Sequence, residues 1–137
     1  MKRITAIALF AIASFAMAGR SYAQEHPVQA TVPFDFTVSN KLLPAGTYTI
    51  HKESSNLIVI KNHDKPIAVF ALATPDGRES KYGKLVFNRY GDQYFLSEIL
   101  CQSSGMNVEV VPSKLEKRVL AQEAWVDANS PVFVAAR

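Results

Sequence analysis

Lys84-Leu85-Val86-Phe87-Asn88-Arg89-Tyr90-Gly91-Asp92-Gln93-Tyr94-Phe95-Leu96 reads as two strands meeting at a two-residue turn. Leu85-Val86-Phe87 and Tyr94-Phe95-Leu96 are short β-prone runs. Gly91, at the first central position of Tyr90-Gly91-Asp92-Gln93, suits a type II′ turn, where a positive φ favours glycine. The second arm continues to about Cys101, and Ser103-Ser104-Gly105 then turns the chain into a further strand, Met106 to Val111.

Upstream, Val32, Phe34, Phe36 and Val38 alternate with Pro33, Asp35 and Thr37, the period of a half-buried strand. Pro33 cannot donate to a ladder, so this strand starts there or runs along an edge, and Gln24 to Gln29 is a polar lead. Leu43-Pro44-Ala45-Gly46 reads as a bulged turn with Gly46 left-handed, leading into a strand from Thr47 to Lys52. Leu57-Ile58-Val59-Ile60 is apolar on both faces and too short for a helix, so it reads as a central strand. Asn62 to Lys65 turns the chain into a strand from Ile67 to Ala73 with apolar residues on both sides, which Pro75-Asp76-Gly77 ends.

These segments predict an all-β, mainly antiparallel fold, a sandwich or small barrel of about seven strands, with one short C-terminal helix. Ser113-Lys114-Leu115-Glu116 has the form of a capping box. The helix it opens has a modest apolar stripe and ends near Ala124. Trp125 to Arg137 reads as a loosely held tail around Asn129-Ser130-Pro131, in which Trp125 is a candidate anchor.

The beginning of the chain has a different character. Lys2 and Arg3 precede an uncharged run from Ile4 to Gly19, and small residues follow at Ser21 and Ala23. This is the pattern of a secretory signal helix, with cleavage expected between Ala23 and Gln24 and a second candidate after Ala18. The run falls short of the roughly 20 residues that span a bilayer, so the mature chain is expected to lack a transmembrane span and to be exported, to the periplasm or the extracellular space. The predicted organisation is a signal peptide over 1–23, a β-rich domain over 24–124 and a tail over 125–137.

The full chain of 137 residues carries 15 basic and 12 acidic side chains, but Lys2, Arg3 and Arg20 belong to the leader. The remainder holds 12 of each sign, so its charge gives no reason to expect a nucleic-acid partner. Cys101 is the only cysteine. An intramolecular disulfide is excluded, and the residue reads as a small buried hydrophobe.

Val32-Pro33-Phe34-Asp35-Phe36-Thr37-Val38, followed by Asn40-Lys41-Leu42-Leu43-Pro44-Ala45-Gly46-Thr47-Tyr48-Thr49-Ile50, resembles a family of small exported bacterial proteins of uncharacterised function. The stretch from Lys84 to Leu96 and Pro112-Ser113-Lys114 resemble the same family. The resemblance implies export and a β-rich fold, and carries no activity, cofactor or catalytic residue with it.

The motifs of serine hydrolases, zincins, thiol redox proteins and phosphate-cradling loops are missing from the sequence. No catalytic residue, cofactor site or metal site is assigned. His26, His51 and His63 read as scattered surface residues, and Asp35 as a solvated outer-face carboxylate. Arg78, Lys81, Lys84 and Arg89, with Glu79 as the one acid among them and Tyr82, Tyr90 and Tyr94 nearby, form a candidate patch for an anionic partner. Its competing reading is a solvated rim that protects strand edges. The expected function is that of a non-enzymatic exported β-module that binds an envelope protein or polymer, or forms part of the envelope. The alternative is a small-barrel carrier of an apolar or anionic ligand, lined by Phe34, Phe36, Tyr48, Phe70, Phe87 and Phe95; an enzyme with a purely spatial site is a third.

Overall fold

The computed structural model describes residues 26–78, 80–123 and 131–137. The leader, its cleavage site at Ala23 and Gln24, and Trp125 lie outside them. The strands are β1 (Val28–Val32), β2 (Phe36–Val38), β3 (Lys41–Leu43), β4 (Gly46–Ser54), β5 (Leu57–Asn62), β6 (Ala68–Pro75), β7 (Lys84–Tyr90), β8 (Gln93–Cys101), β9 (Met106–Val110) and β10 (Val132–Ala135). Helix α1 (Lys114–Glu123) lies between β9 and β10 in the chain. The fold is all-β and mainly antiparallel, as the sequence predicts; the one parallel contact sets Thr37 of β2 opposite Phe95 of β8.

The ladders run in the order β1-β4-β5-β6-β9-β8, and the far edge of β8 carries β7 and then β10. Taken alone they make an open mixed sheet. It curls, however, until its ends touch: Ala30 bridges Ala136, and Gln29 and Arg137 exchange backbone hydrogen bonds of 2.6 and 2.9 Å. The β2–β3 hairpin lies beside the start of β8.

Period-2 alternation drives the curl, because inward residues from every side meet in one core. Val28, Val32, Ile50, Ile58, Ile60 and Ile99 are fully buried there. At its centre Phe36 packs edge-on against Tyr48 (5.1 Å between centroids) and Phe87 (5.4 Å). Each such side chain contributes about 1.5–3 kcal/mol, more than the roughly 1 kcal/mol net of one ladder hydrogen bond. Core burial therefore outweighs the pairing lost where a strand breaks.

Such a break occurs at Pro33. The expected single strand from Val32 to Val38 is two strands separated by Pro33–Asp35. The corner is pinned by Asp35 Oδ1, which accepts the Ala45 N–H at 2.9 Å, and by Tyr48, whose hydroxyl donates to the Pro44 carbonyl at 2.5 Å. The expected polar lead also needs correction: Val28 and Gln29 belong to β1, paired with Ile50 and Thr49. Leu57–Asn62 is the central strand expected, with Ile58, Val59 and Ile60 all buried. The hairpin of β7 and β8 also forms as expected, with Gly91 at φ 60° and Asp92 outside the positive-φ region, as a type II′ turn requires.

Gly46 is not left-handed. The positive dihedrals near it fall at Ser39 (φ 49°) and Asn40 (φ 65°), the two turn residues of the β2–β3 hairpin. Gly46 instead begins β4, where a Cβ would stand 3.2 Å from Asn62 Nδ2. The C-terminal segment departs furthest from expectation. In place of a loose tail over 125–137, Val132–Ala135 pairs in full register with β7; with the unexpected β3 and the split of the first strand, this makes ten strands among the described residues, against the seven or so expected. The physical reason lies in Val132-Phe133-Val134-Ala135 itself, an apolar β-prone run following a proline, similar in kind to Leu57–Ile60.

Gly83 makes this docking possible. The Ala136 N–H donates to its carbonyl at 2.8 Å, and a Cβ on Gly83 would collide with the Ala136 carbonyl. Gly83→Ala is expected to destabilise the protein by about 1–3 kcal/mol, as overpacking against backbone does, through loss of β10 from the sheet. Urea unfolding measures this; an unchanged midpoint would show that Ala136 does not sit against Gly83.

Candidate functional site

The meeting of β1 and β10 leaves a cleft of about 340 Å³ lined by Gln29, Ala30, Thr31, Val134, Ala135, Ala136 and Arg137. Ala30, Val134 and Ala136 belong to or pack on the core and form its floor. Arg137 is the one charged residue of the lining, and the adjoining β7–β10 ladder carries further basic and aromatic side chains. Lys84 Nζ lies 4.9 Å from the ring centre of Phe133, and Lys81 Nζ lies 5.6 Å from that of Tyr82. Both rings are large exposed surfaces, Phe133 at 58% and Tyr82 at 73%, and each holds a cation over its π face. Lys84 is paired with Ala135, while Lys81 and Tyr82 precede Gly83, which is hydrogen-bonded to Ala136. Among the described residues neither lysine makes an ion pair.

The four basic residues singled out in the sequence are thus divided. Lys81 and Lys84 stand by the cleft. Arg78 does not join them, because its guanidinium bridges two largely covered carboxylates, Asp76 (Nε–Oδ2 3.1 Å) and Glu98. The Arg78 backbone N–H and then its side chain hold the Asp76 carboxyl below its ordinary range, and the two carboxylates raise the guanidinium pKa in return. Arg89 lies near the opposite end of β7, roughly 17 Å along the strand from Lys84; its Nε donates to the Gly91 carbonyl at 2.9 Å and its guanidinium faces Tyr94 at 5.6 Å. Sequence proximity grouped these side chains, and the extended geometry of β7 separates them. Phe133 and Arg137 were missed because they lie in the segment read as tail; the apolar run after Pro131 was the available signal.

The aromatic residues of the carrier alternative are also divided. Tyr48 and Phe87 each contact Phe36 in the core, and Phe34 stacks on Tyr94 with centroids 4.1 Å apart. Phe95 packs with Tyr90 (5.6 Å), outside the main core cluster. Phe70 is 58% exposed on the outer face of β6, where inward Val69, Ala71 and Ala73 alternate with outward Phe70, Leu72 and Thr74. Asp35 is exposed, as expected. His26 and His51 come together, lining a pocket of about 70 Å³ with Lys52 and Met106, whereas His63 sits in a turn beside Asp64. Among the described residues no trio of His, Cys, Asp or Glu converges.

Two buried groups have unexpected surroundings. Cys101 is fully buried, with Sγ 3.3 Å from Ser103 Oγ and 3.5 Å from Ser104 Oγ. Burial pushes the thiol pKa up, but hydrogen bonds from the hydroxyls and backbone of Ser103 and Ser104 outweigh it and hold the pKa below its usual value. Glu116 completes only half of the expected capping box. Ser113 Oγ accepts the Glu116 N–H at 3.2 Å, but the carboxylate turns inward and accepts from Asn88 Nδ2 at 3.1 Å. A second helix amide, that of Leu115, is capped by Asn40 Oδ1 at 2.9 Å, a contact the sequence reading missed because 75 residues separate the partners.

No family model, curated protein or solved structure matches the chain.

Burial raises the Glu116 pKa, against the lowering effect of hydrogen bonds from Asn88, Tyr90 and the Ser113 contact. The folded state therefore binds this proton more tightly than the unfolded state. The resulting stabilisation is full below the unfolded pKa of about 4.5 and is lost as pH rises through the higher folded value. Glu116→Gln is expected to remove this contribution and to be no less stable than the parent at about pH 8. Thermal melting across that range checks the sign, and an unchanged pH profile in the variant would contradict it.

Proposed function

We propose that this protein is an exported, non-enzymatic β-module that binds an anionic partner in the cell envelope through the β1–β10 cleft. Export rests on the leader over 1–23 and on the resemblance carried by the Val32–Ile50 stretch. The observation that carries the binding site is the 340 Å³ cleft, with Arg137 in its lining, beside a β7–β10 ladder on which Lys84 lies over the exposed ring of Phe133, with Lys81 over exposed Tyr82 just before it in the chain. Exposed aromatics crossed by cations that form no ion pair among the described residues supply flat apolar contact and charge together, the combination enriched where proteins meet partners. Binding rather than catalysis is favoured by the lining. Thr31, whose hydroxyl faces that of Thr47 at 3.0 Å, has no base beside it there.

The test is binding of the purified chain to isolated envelope fractions from its host at increasing salt. Binding is expected to weaken with ionic strength, because exposed charges are screened. Replacing Lys81 and Lys84 together by Glu is expected to lower affinity about tenfold and flatten the salt dependence. Equal binding by parent and double variant would refute this site.

A further inference from the structure

We propose that the exported chain, cut after Ala23, holds a Cu(II) ion at its new N-terminus, in a square plane of the Gln24 α-amine, the amide nitrogens of Glu25 and His26, and Nδ1 of His26. The proposal rests on the export reading and goes beyond the anionic-partner reading. Cleavage there makes the mature sequence begin Gln24-Glu25-His26-Pro27, with the histidine third. An α-amine has a pKa of about 7.7–8.0, so a metal displaces its proton readily near neutrality. With the amine and the imidazole as anchors, the two amides between them lie on one short chelating path. As Cu(II) binds, both amide protons pass to solvent, and the two amidate charges offset those of the ion. Neither Glu25 nor His26 is a proline, so each has an amide proton to lose. Pro27 has none, so coordination cannot run past the histidine in the opposite direction. Four nitrogens in a plane suit Cu(II), and Ni(II) less tightly, whereas Zn(II) prefers a tetrahedron.

The fold leaves His26 available for this role. His26 and Pro27 are exposed, and the ladder of β1 begins only at Val28, opposite Ile50, so sheet pairing does not engage the His26 amide. His26 lines the pocket of about 70 Å³ that it shares with His51, Lys52 and Met106, and none of the residues lining that pocket lines the β1–β10 cleft. His51 supplies the competing arrangement, an ion held between two imidazoles. That pair offers fewer donors than the terminal plane and does not by itself give Cu(II) its preferred square of nitrogens. A search for converging side chains passes over the terminal site, because its donors other than the His26 imidazole are main-chain nitrogens.

The test is titration with copper(II) sulfate, near neutral pH, of protein purified from the periplasm of an exporting host, its N-terminus defined by intact-mass spectrometry. The expected result is a chain starting at Gln24 that takes up a single Cu(II) with the visible absorption band of a four-nitrogen square plane. Two variants are expected to replace that band and to lower the affinity at least about tenfold. One is His26→Ala; the other inserts an alanine between Gln24 and Glu25, which keeps every side chain but moves the imidazole one residue along. His51→Ala is expected to do neither. Loss of the band in His51→Ala, or its persistence in the insertion variant, overturns the proposal in favour of the imidazole pair. A chain cut after Ala18, or one whose Gln24 amine has cyclised onto its own side chain, lacks the terminal donor; either result overturns the proposal and leaves export standing. Retention of the leader removes both.

Discussion

The absence of a side chain at Gly83 lets the carbonyl of Ala136 settle against the backbone at the start of β7, and the circuit of strands depends on this contact. With β10 in place, the exposed edge of β7 is covered and the last strand comes within reach of the first. Without it, Leu85 and Phe87 would form part of an uncovered edge, and Ala30 would lose its neighbour Ala136. An unpaired edge is a hazard that β proteins cover, shorten or charge. Here one edge is covered by a strand drawn from the far end of the chain, and the other outer strand, β3, is only three residues long.

Closure of the circuit is uneven. Between β7 and β8 the pairing runs through seven positions, whereas β1 and β10 share one bridge. The seam thus coincides with the 340 Å³ cleft. The rest of the wall is held by side chains that meet in the middle: the edge-on contacts of Phe36, Tyr48 and Phe87 tie β2, β4 and β7 together across the interior.

Helix α1 is tied to the sheet through polar groups. Asn40 and Ser113 cap its first amides, and Glu116 reaches Asn88 on β7. A carboxylate buried in this way is costly unless it is hydrogen-bonded. The Asn88 contact and the Tyr90 hydroxyl moderate that cost without removing it, as the raised pKa of Glu116 shows.

Short-range information in the sequence determined the strands of β4 through β9, the type II′ turn at Gly91 and the Ser113 cap, because each follows from residues within a few positions of one another. Local rules failed where partners are distant. The left-handed residues near Gly46 are Ser39 and Asn40 in the preceding turn, Asn40 caps a helix 75 residues away, and Arg78, in the loop after β6, pairs with Glu98 of β8. The tertiary structure alone decided that Arg78, and neither Lys81 nor Lys84, forms an ion pair among the described residues. It placed Lys84 by a cleft and Arg89 at the other end of the same strand, because an extended chain separates what the sequence lists together. Period-2 patterning states which side of a strand is apolar; which strands meet, and where the circuit closes, depends on packing between segments at opposite ends of the chain.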